Sequence, residues 1–223
     1  MTGHRAPAQR GRFTSAMADL STILPAVRDQ GDRETCLTIA LTDGHHVTRA
    51  DAPALAPDFL HFHAAALAGV GVNDAVPVAA GMAVLMDNGQ PAEAECPYSP
   101  IARPASWLPS TPSGGVWKRV TSVAPGAPWK VIEDEVGGGR PVALVIEIDD
   151  PFWTPVDGVV SIPSGPARTS HAVLAVEIDL QMSRVRVRNS WGNEWGDGGY
   201  AWLSAGYVTA RCTAVVKFGG PVS

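Results

Sequence analysis

The sequence predicts an α+β protein with a helical N-terminal half and a strand-rich C-terminal half. Three observations carry that prediction. Before about residue 90, apolar residues recur at helical spacing behind Pro and Asp starts. After about residue 140, short Val-rich or alternating runs are separated by turn residues. Between them, residues 91–128 are rich in proline and poor in periodicity, as a crossing between two parts of a fold would be. A chain of 223 residues can bury a core as one domain or as two closely packed lobes. The expected division is a flexible segment 1–22, a mainly helical lobe 23–112 and a β-rich lobe 113–223, within one functional unit.

Taken in order, residues 1–22 combine polar, Pro, Gly and Arg residues without periodicity. The run Asp29-Gln30-Gly31-Asp32 reads as a turn, and a helix is expected from Glu34 with Leu37, Ala40 and Leu41 on one stripe. Pro57-Asp58 opens a second helix to about Ala68, with Phe59, Phe62, Ala66 and Leu67 as its apolar face, and a loop follows over 69–73. A third helix is expected from a cap at Asp74 to Asp87, burying Val76, Ala80, Val84 and Leu85 and stopped by Asn88-Gly89. Trp107 and Trp117 are the expected anchors of the proline-rich crossing. Pro128 to Val136 reads as a short helix with Trp129, Ile132 and Val136 on one face, and Glu133-Asp134-Glu135 as its solvated face. Strands are expected over 141–148, 171–178, 185–189, 199–203 and 214–218.

Composition excludes several function classes. A formal charge of −5 offers no basic footprint for nucleic acid. No segment approaches the roughly 20 apolar residues of a membrane span, and the N-terminus carries no signal-peptide core. Three cysteines, Cys36, Cys96 and Cys212, without a CxxC spacing, indicate neither a disulfide framework nor a structural zinc site, and a reduced, cytoplasmic protein is the simpler expectation. His45-His46 and the His61/His63 pair lack the HExxH pattern that would make them zinc ligands, so neither metal nor other cofactor is expected.

The chemistry centres on Cys36. Most unpaired cysteines are small buried hydrophobes, but one in the first turn of a helix feels the partial positive charge that favours its thiolate. Far along the chain, His171 opens a strand and Asn189 ends another before a glycine-rich loop. A cysteine, a distant histidine and an asparagine supply the nucleophile, base and orienting group of thiol catalysis. Singly, His171 reads as a strand-end histidine and Asn189 as a turn former.

In order along the chain, Leu24-Pro-Ala-Val-Arg-Asp-Gln30-Gly31, Ser170-His171-Ala172-Val173 and Asn189-Ser190-Trp191-Gly192 with Trp195-Gly196 and Gly199-Tyr200 resemble the papain family of cysteine peptidases. Pro57 to Phe62 and Asn88 to Tyr98 resemble its second helix and its proline-tyrosine loop. The likeness covers roughly Leu24 to Phe218. It implies a papain-like two-lobe fold, with a helical N-terminal lobe, a β-barrel-like C-terminal lobe and a cleft between them. It implies a Cys36–His171–Asn189 triad, an oxyanion hole from Gln30 and the Cys36 backbone, Trp191 shielding the His171–Asn189 contact, and substrate contacts at Gly71 and Ser170. The implied substrate is a peptide or protein. No inhibitory pro-segment is recognisable ahead of the catalytic region, so a short member restrained by narrow selectivity or by a regulatory or activating protein partner is expected.

Two positions depart from the family pattern. Arg33 stands where the pattern has a second cysteine, which removes a disulfide, and Leu37 stands where it has a tryptophan, which changes the wall beside the thiol. Fold and triad leave other readings open: an acyltransferase or deamidase using the same thioester, or a non-catalytic peptide-binding module.

Overall fold

The computed structural model describes residues 19–49 and 53–222. The expected flexible segment falls mostly outside them, but its last residues do not: Leu20–Ile23 form a 3-10 turn capped by the Asp19 side chain, with Leu20 buried. Three helices follow, α1 (Cys36–Val47), α2 (Pro57–Ala68) and α3 (Val78–Asp87). Next come β1 (Arg119–Val123), α4 (Pro128–Val136), β2 (Val142–Ile148) and the short α5 (Asp150–Trp153). The chain closes with β3 (Thr169–Asp179), β4 (Arg184–Arg188), β5 (Tyr200–Ser204), α6 (Ala205–Arg211) and β6 (Cys212–Pro221).

Every strand pairs antiparallel in one six-stranded sheet of order β1-β6-β2-β3-β4-β5, with β1 and β5 at its edges. Both faces are covered. Successive side chains on a strand point to opposite faces, so Ala172, Leu174 and Val176 of β3 pack with Leu37, Leu41, Leu60 and Leu85 of the first three helices. Val173 and Ala175 pack with Ile132 of α4, Phe152 of α5 and Tyr207 of α6. Burial on both sides explains why these strands read as continuous Val-rich runs. The α1 helix approaches β6 through Gly44, where a Cβ would lie 2.2 Å from the Phe218 ring.

Several expectations need correction. The third helix starts at Val78, behind Pro77, because the Asp74 carboxylate is occupied in the preceding turn, accepting from the Gly71 N–H at 2.9 Å. Phe59 of α2 is buried as expected, together with Leu60, Ala64 and Ala65, but Phe62 is only half-buried and Ala66 and Leu67 are exposed. Glu135 is not solvated: it is buried and paired with Arg140 and Lys217. β1 lies inside the stretch read as irregular, held by β6 on one side only. Trp107 and Trp117 do anchor that crossing, the first edge-on to Phe62 and the second beneath the Arg49 guanidinium at 4.0 Å. No helix among the described residues is long and apolar enough to cross a membrane.

Candidate active site

Cys36 is the first residue of α1, and the residue before it is diverted from capping. The Thr35 hydroxyl pairs with the Tyr98 hydroxyl at 2.8 Å, and Thr35 makes no cap bond to the helix. The first-turn N–H groups, which have no partner within a helix, are therefore left to the site. Those of Cys36 and Leu37 lie against the sulfur, as does the backbone N–H of Ala172, and all three favour the thiolate. Burial acts the other way and is the larger effect, so the thiol is pushed up from its ordinary value.

His171 reaches the same place from β3. Its Nε2 is 2.7 Å from Asn189 Oδ1, which also accepts the Ser190 N–H at 2.8 Å. That second bond identifies the atom as the amide oxygen, so Nε2 carries the proton and Nδ1 is left as the base. The Trp191 ring lies 4.5 Å from the imidazole and stacks on Trp153 at 4.6 Å, while Phe152 closes another side. Burial under these rings pushes His171 down to about 4, against the Asn189 bond, which raises it.

Cys36 and His171 line one cavity of about 280 Å³, with Leu37, Val76, Pro77 and Val145 among its walls. Ser170 is on that wall. Gly71 is not: it sits in the turn closed by Asp74, and the neighbouring residues 75–78 line the cavity instead. Leu37, in the place of the pattern's tryptophan, forms apolar wall beside the thiol.

Gln30 is buried and held at both ends of its amide. Ser190 Oγ donates to its Oε1 at 2.6 Å, and its Nε2 donates to the Arg33 carbonyl at 2.9 Å. One amide N–H is thus used and a second remains. The backbone binds the two lobes at the same point, since Gln30 N donates to Ser190 O at 2.7 Å and Gly192 N to Arg28 O at 3.1 Å.

Arg33 fills the position of the missing cysteine with an ion pair. It is 1% exposed, pairs with Asp58 of α2, and donates to Asn73 Oδ1 and the Ser99 carbonyl. Arg103 takes the other Asp58 oxygen at 2.7 Å. All three cysteines are free. His45 and His61 are bonded to Gln90 and Thr38 respectively.

Sequence reasoning missed Ser190, Tyr98 and Thr35 as supports. The Asn-Ser-Trp-Gly run was legible, but which atoms its serine would hold depends on a partner 160 residues away. A sulfur at a helix start, a buried imidazole held by an amide and a cleft between a helical layer and an antiparallel sheet define a class of protein equipped for thiol chemistry.

The comparisons narrow that class. The model of the papain family of cysteine proteases matches residues 68–217, more than half of the chain, and the chain belongs to that family. The matched stretch holds His171 and Asn189 and begins after Cys36. The thiol protease aleurain of Arabidopsis thaliana is 28% identical over 197 residues, covering 82% of this chain and 53% of aleurain. A cathepsin L-like proteinase of Fasciola hepatica is 36% identical over 72 residues, 31% of this chain and 22% of that protein. The chain spans about half the length, or less, of these curated relatives. Among solved structures, xylellain, a cysteine protease from Xylella fastidiosa, superposes with a TM-score of 0.71 at 21% identity, covering 89% of this chain and 87% of that one. A Carica candamarcensis cysteine protease in complex with E-64 gives 0.72 at 19% identity, covering 90% and 96%. These two likenesses show a shared fold.

Proposed function

We propose that the chain is a cysteine peptidase that hydrolyses peptide bonds through Cys36, His171 and Asn189 by way of an acyl-thioester. The observation that carries the reading is the shared cavity of Cys36 and His171, with the far ring nitrogen of His171 tied to Asn189.

In this reading His171 Nδ1 takes the proton from Cys36 Sγ, and the sulfur attacks the substrate carbonyl. Burial favours the neutral forms of both groups. The charged pair gains from mutual attraction and from the amides around the sulfur. The carbonyl oxygen becomes an oxyanion that accepts from the Cys36 N–H and the second N–H of Gln30. The C–N bond then breaks, imidazolium gives its proton to the departing amine, and the acyl group stays on sulfur. Water, losing a proton to His171, displaces the thiolate and releases the acid.

The test is labelling and turnover in one set of variants. A papain-directed epoxide is expected to label Cys36 stoichiometrically in the parent, leaving Cys96, which is buried with its thiol pushed up to about 11, unlabelled. His171→Ala is expected to slow labelling and peptide hydrolysis by about 10²–10⁴-fold, the usual worth of a positioned base. Equal, slow labelling of both cysteines in the parent would instead support a scaffold without catalysis.

Gln30→Ala tests the oxyanion role. Loss of one such donor typically costs about 2.7–4 kcal/mol of barrier stabilisation, so turnover is expected to fall by roughly 10²–10³-fold while the circular dichroism spectrum stays parental. A variant as fast as the parent removes Gln30 from this role.

A further inference from the structure

Glu34 carries the only carboxylate on the wall of the Cys36–His171 cavity among the described residues; the rest of that wall is mainly aliphatic, with Ser170 and His171 as its other polar side chains. Its backbone is fixed, the Glu34 N–H donating to the Asn73 carbonyl at 2.9 Å. The flanking side chains turn inward, Arg33 to Asp58 and Thr35 to Tyr98, both buried. Glu34 is left exposed at the cavity, and among the described residues its carboxylate has no hydrogen-bond or ion-pair partner. An unpaired anion two residues before the nucleophile works against ionisation of the thiol, and its charge is among the causes that raise Cys36.

A cation supplied by the substrate would satisfy that carboxylate and remove its repulsion of the thiolate. The geometry also says on which side the cation must lie. His171 has to deliver its proton to the departing nitrogen, so the leaving side of the substrate passes over His171 and Trp191. Glu34 belongs to the helical side of the cavity, with its backbone bonded to Asn73 ahead of residues 75–78, whereas His171 belongs to the sheet side, on β3. We infer that Glu34 is a specificity-determining residue that selects a lysine or arginine side chain on the acyl side of the scissile bond. The inference rests on the peptidase reading above.

The experiment uses three fluorogenic peptides identical except at the residue that donates the scissile carbonyl, which is lysine, norleucine or glutamate. The parent is expected to prefer lysine over norleucine on the order of tenfold in kcat/KM, the scale of a charge-assisted hydrogen bond, and to cleave the glutamate peptide most slowly. Glu34→Gln is expected to bring the lysine-to-norleucine ratio near one, and Glu34→Lys to move preference toward glutamate. Raising the salt concentration should narrow the parental ratio. Labelling of Cys36 by an uncharged epoxide, run on each protein, separates the two readings. Intact labelling with a lysine-to-norleucine ratio unchanged in Glu34→Gln overturns the role of Glu34 and leaves the peptidase standing. Absence of labelling in the parent overturns both.

Discussion

Acidification from pH 7 to pH 4 is expected to strip most of the stability from this protein, with three buried histidines as the main cause. His45, His61 and His171 are each held down to about 4, and in each the leading cause is burial. For His45, Arg119 and Arg49 add to the effect against a raising bond to Gln90; for His61, Arg33 adds to it against Asp58 and Asp74. The sign follows from the unfolded chain, where an imidazole titrates near 6.5. Each folded pKa lies below its unfolded value, so the unfolded state binds more protons between the two. The contribution to stability is therefore full above about 6.5 and is lost as pH falls toward 4. Each histidine accounts for about 3 kcal/mol over that window, against a total of roughly 5–15 kcal/mol for a folded domain.

The local geometry agrees with that direction. His45 Nδ1 faces Gln90 Oε1 at 3.1 Å, an oxygen that only accepts, so Nδ1 carries the proton and Nε2 is bare. Among the described residues, this buried Nε2 has no hydrogen-bond partner. Protonation at His45 would place a charge at an atom with nothing to receive its bond. Urea unfolding at pH 7.5, 6.0 and 4.5 is the measurement, and the midpoint should fall steadily across that series. His61→Gln should flatten the slope by about one proton relative to the parent. A midpoint independent of pH between 7 and 4.5 would sink the assignment of these three rings as buried and neutral.

How far the sequence reveals this protein depends on whether the cause of a feature is local. α2 and α4 begin at the prolines and end before the glycines that mark them, because Pro at a first turn and Gly after a last one act within a few residues. Cys36, His171 and Asn189 were legible through ordered motifs, and the structure gathers Cys36 with His171 on one cavity and His171 with Asn189 in one hydrogen bond. The faces of β3 could not be read, since burial on both sides erases the alternation that would distinguish them. β1 was hidden for the opposite reason: an edge strand bordered by Pro and Gly has a weak local pattern and owes its conformation to β6. Asp74 signalled a helix cap and instead closes the turn before one, a choice between two local bonds that sequence leaves open. Arg33 reads as a missing cysteine in sequence and as a buried ion pair in space, because its acceptor lies 25 residues away.

Asp43→Ala is expected to destabilise the protein by about 3–5 kcal/mol, the usual cost of leaving a buried charge without its partner. Asp43 lies on α1, one face of helix along from Cys36, and each of its carboxylate oxygens takes a guanidinium. Arg28 pairs with Oδ1, and Arg188 Nε donates to Oδ2 at 2.7 Å. Arg28 has a second acceptor in Glu93, at 2.6 Å. Arg188 has carbonyl acceptors at Pro25 and Ala26 and the Tyr200 hydroxyl, but among the described residues no other carboxylate. Both Asp43 and Arg188 are about 2% exposed, so water cannot replace what is removed. The consequence reaches the site because Arg188 immediately precedes Asn189 on the chain, and its bonds to Pro25 and Ala26 hold the strand against the approach to Gln30. A residual folded population of Asp43→Ala should therefore react with an epoxide more slowly at Cys36 than the parent does, at a temperature where both are folded.

The design of the control follows from the physics of buried pairs. Removing both charges together is far less costly than removing one, since well-packed apolar replacements of a buried pair are often neutral. Asp43→Leu with Arg188→Met should recover a good part of the loss seen in Asp43→Ala, whereas adding Arg188→Met should not help a protein whose instability came only from lost helix packing. Urea midpoints of the parent, Asp43→Leu, Arg188→Met and the double variant give the coupling directly. A single variant within about 1 kcal/mol of the parent, the range of an exposed pair, would mean that Asp43 contributes no more than a surface bridge and that α1 is held to the sheet by its apolar packing on β2 and β3.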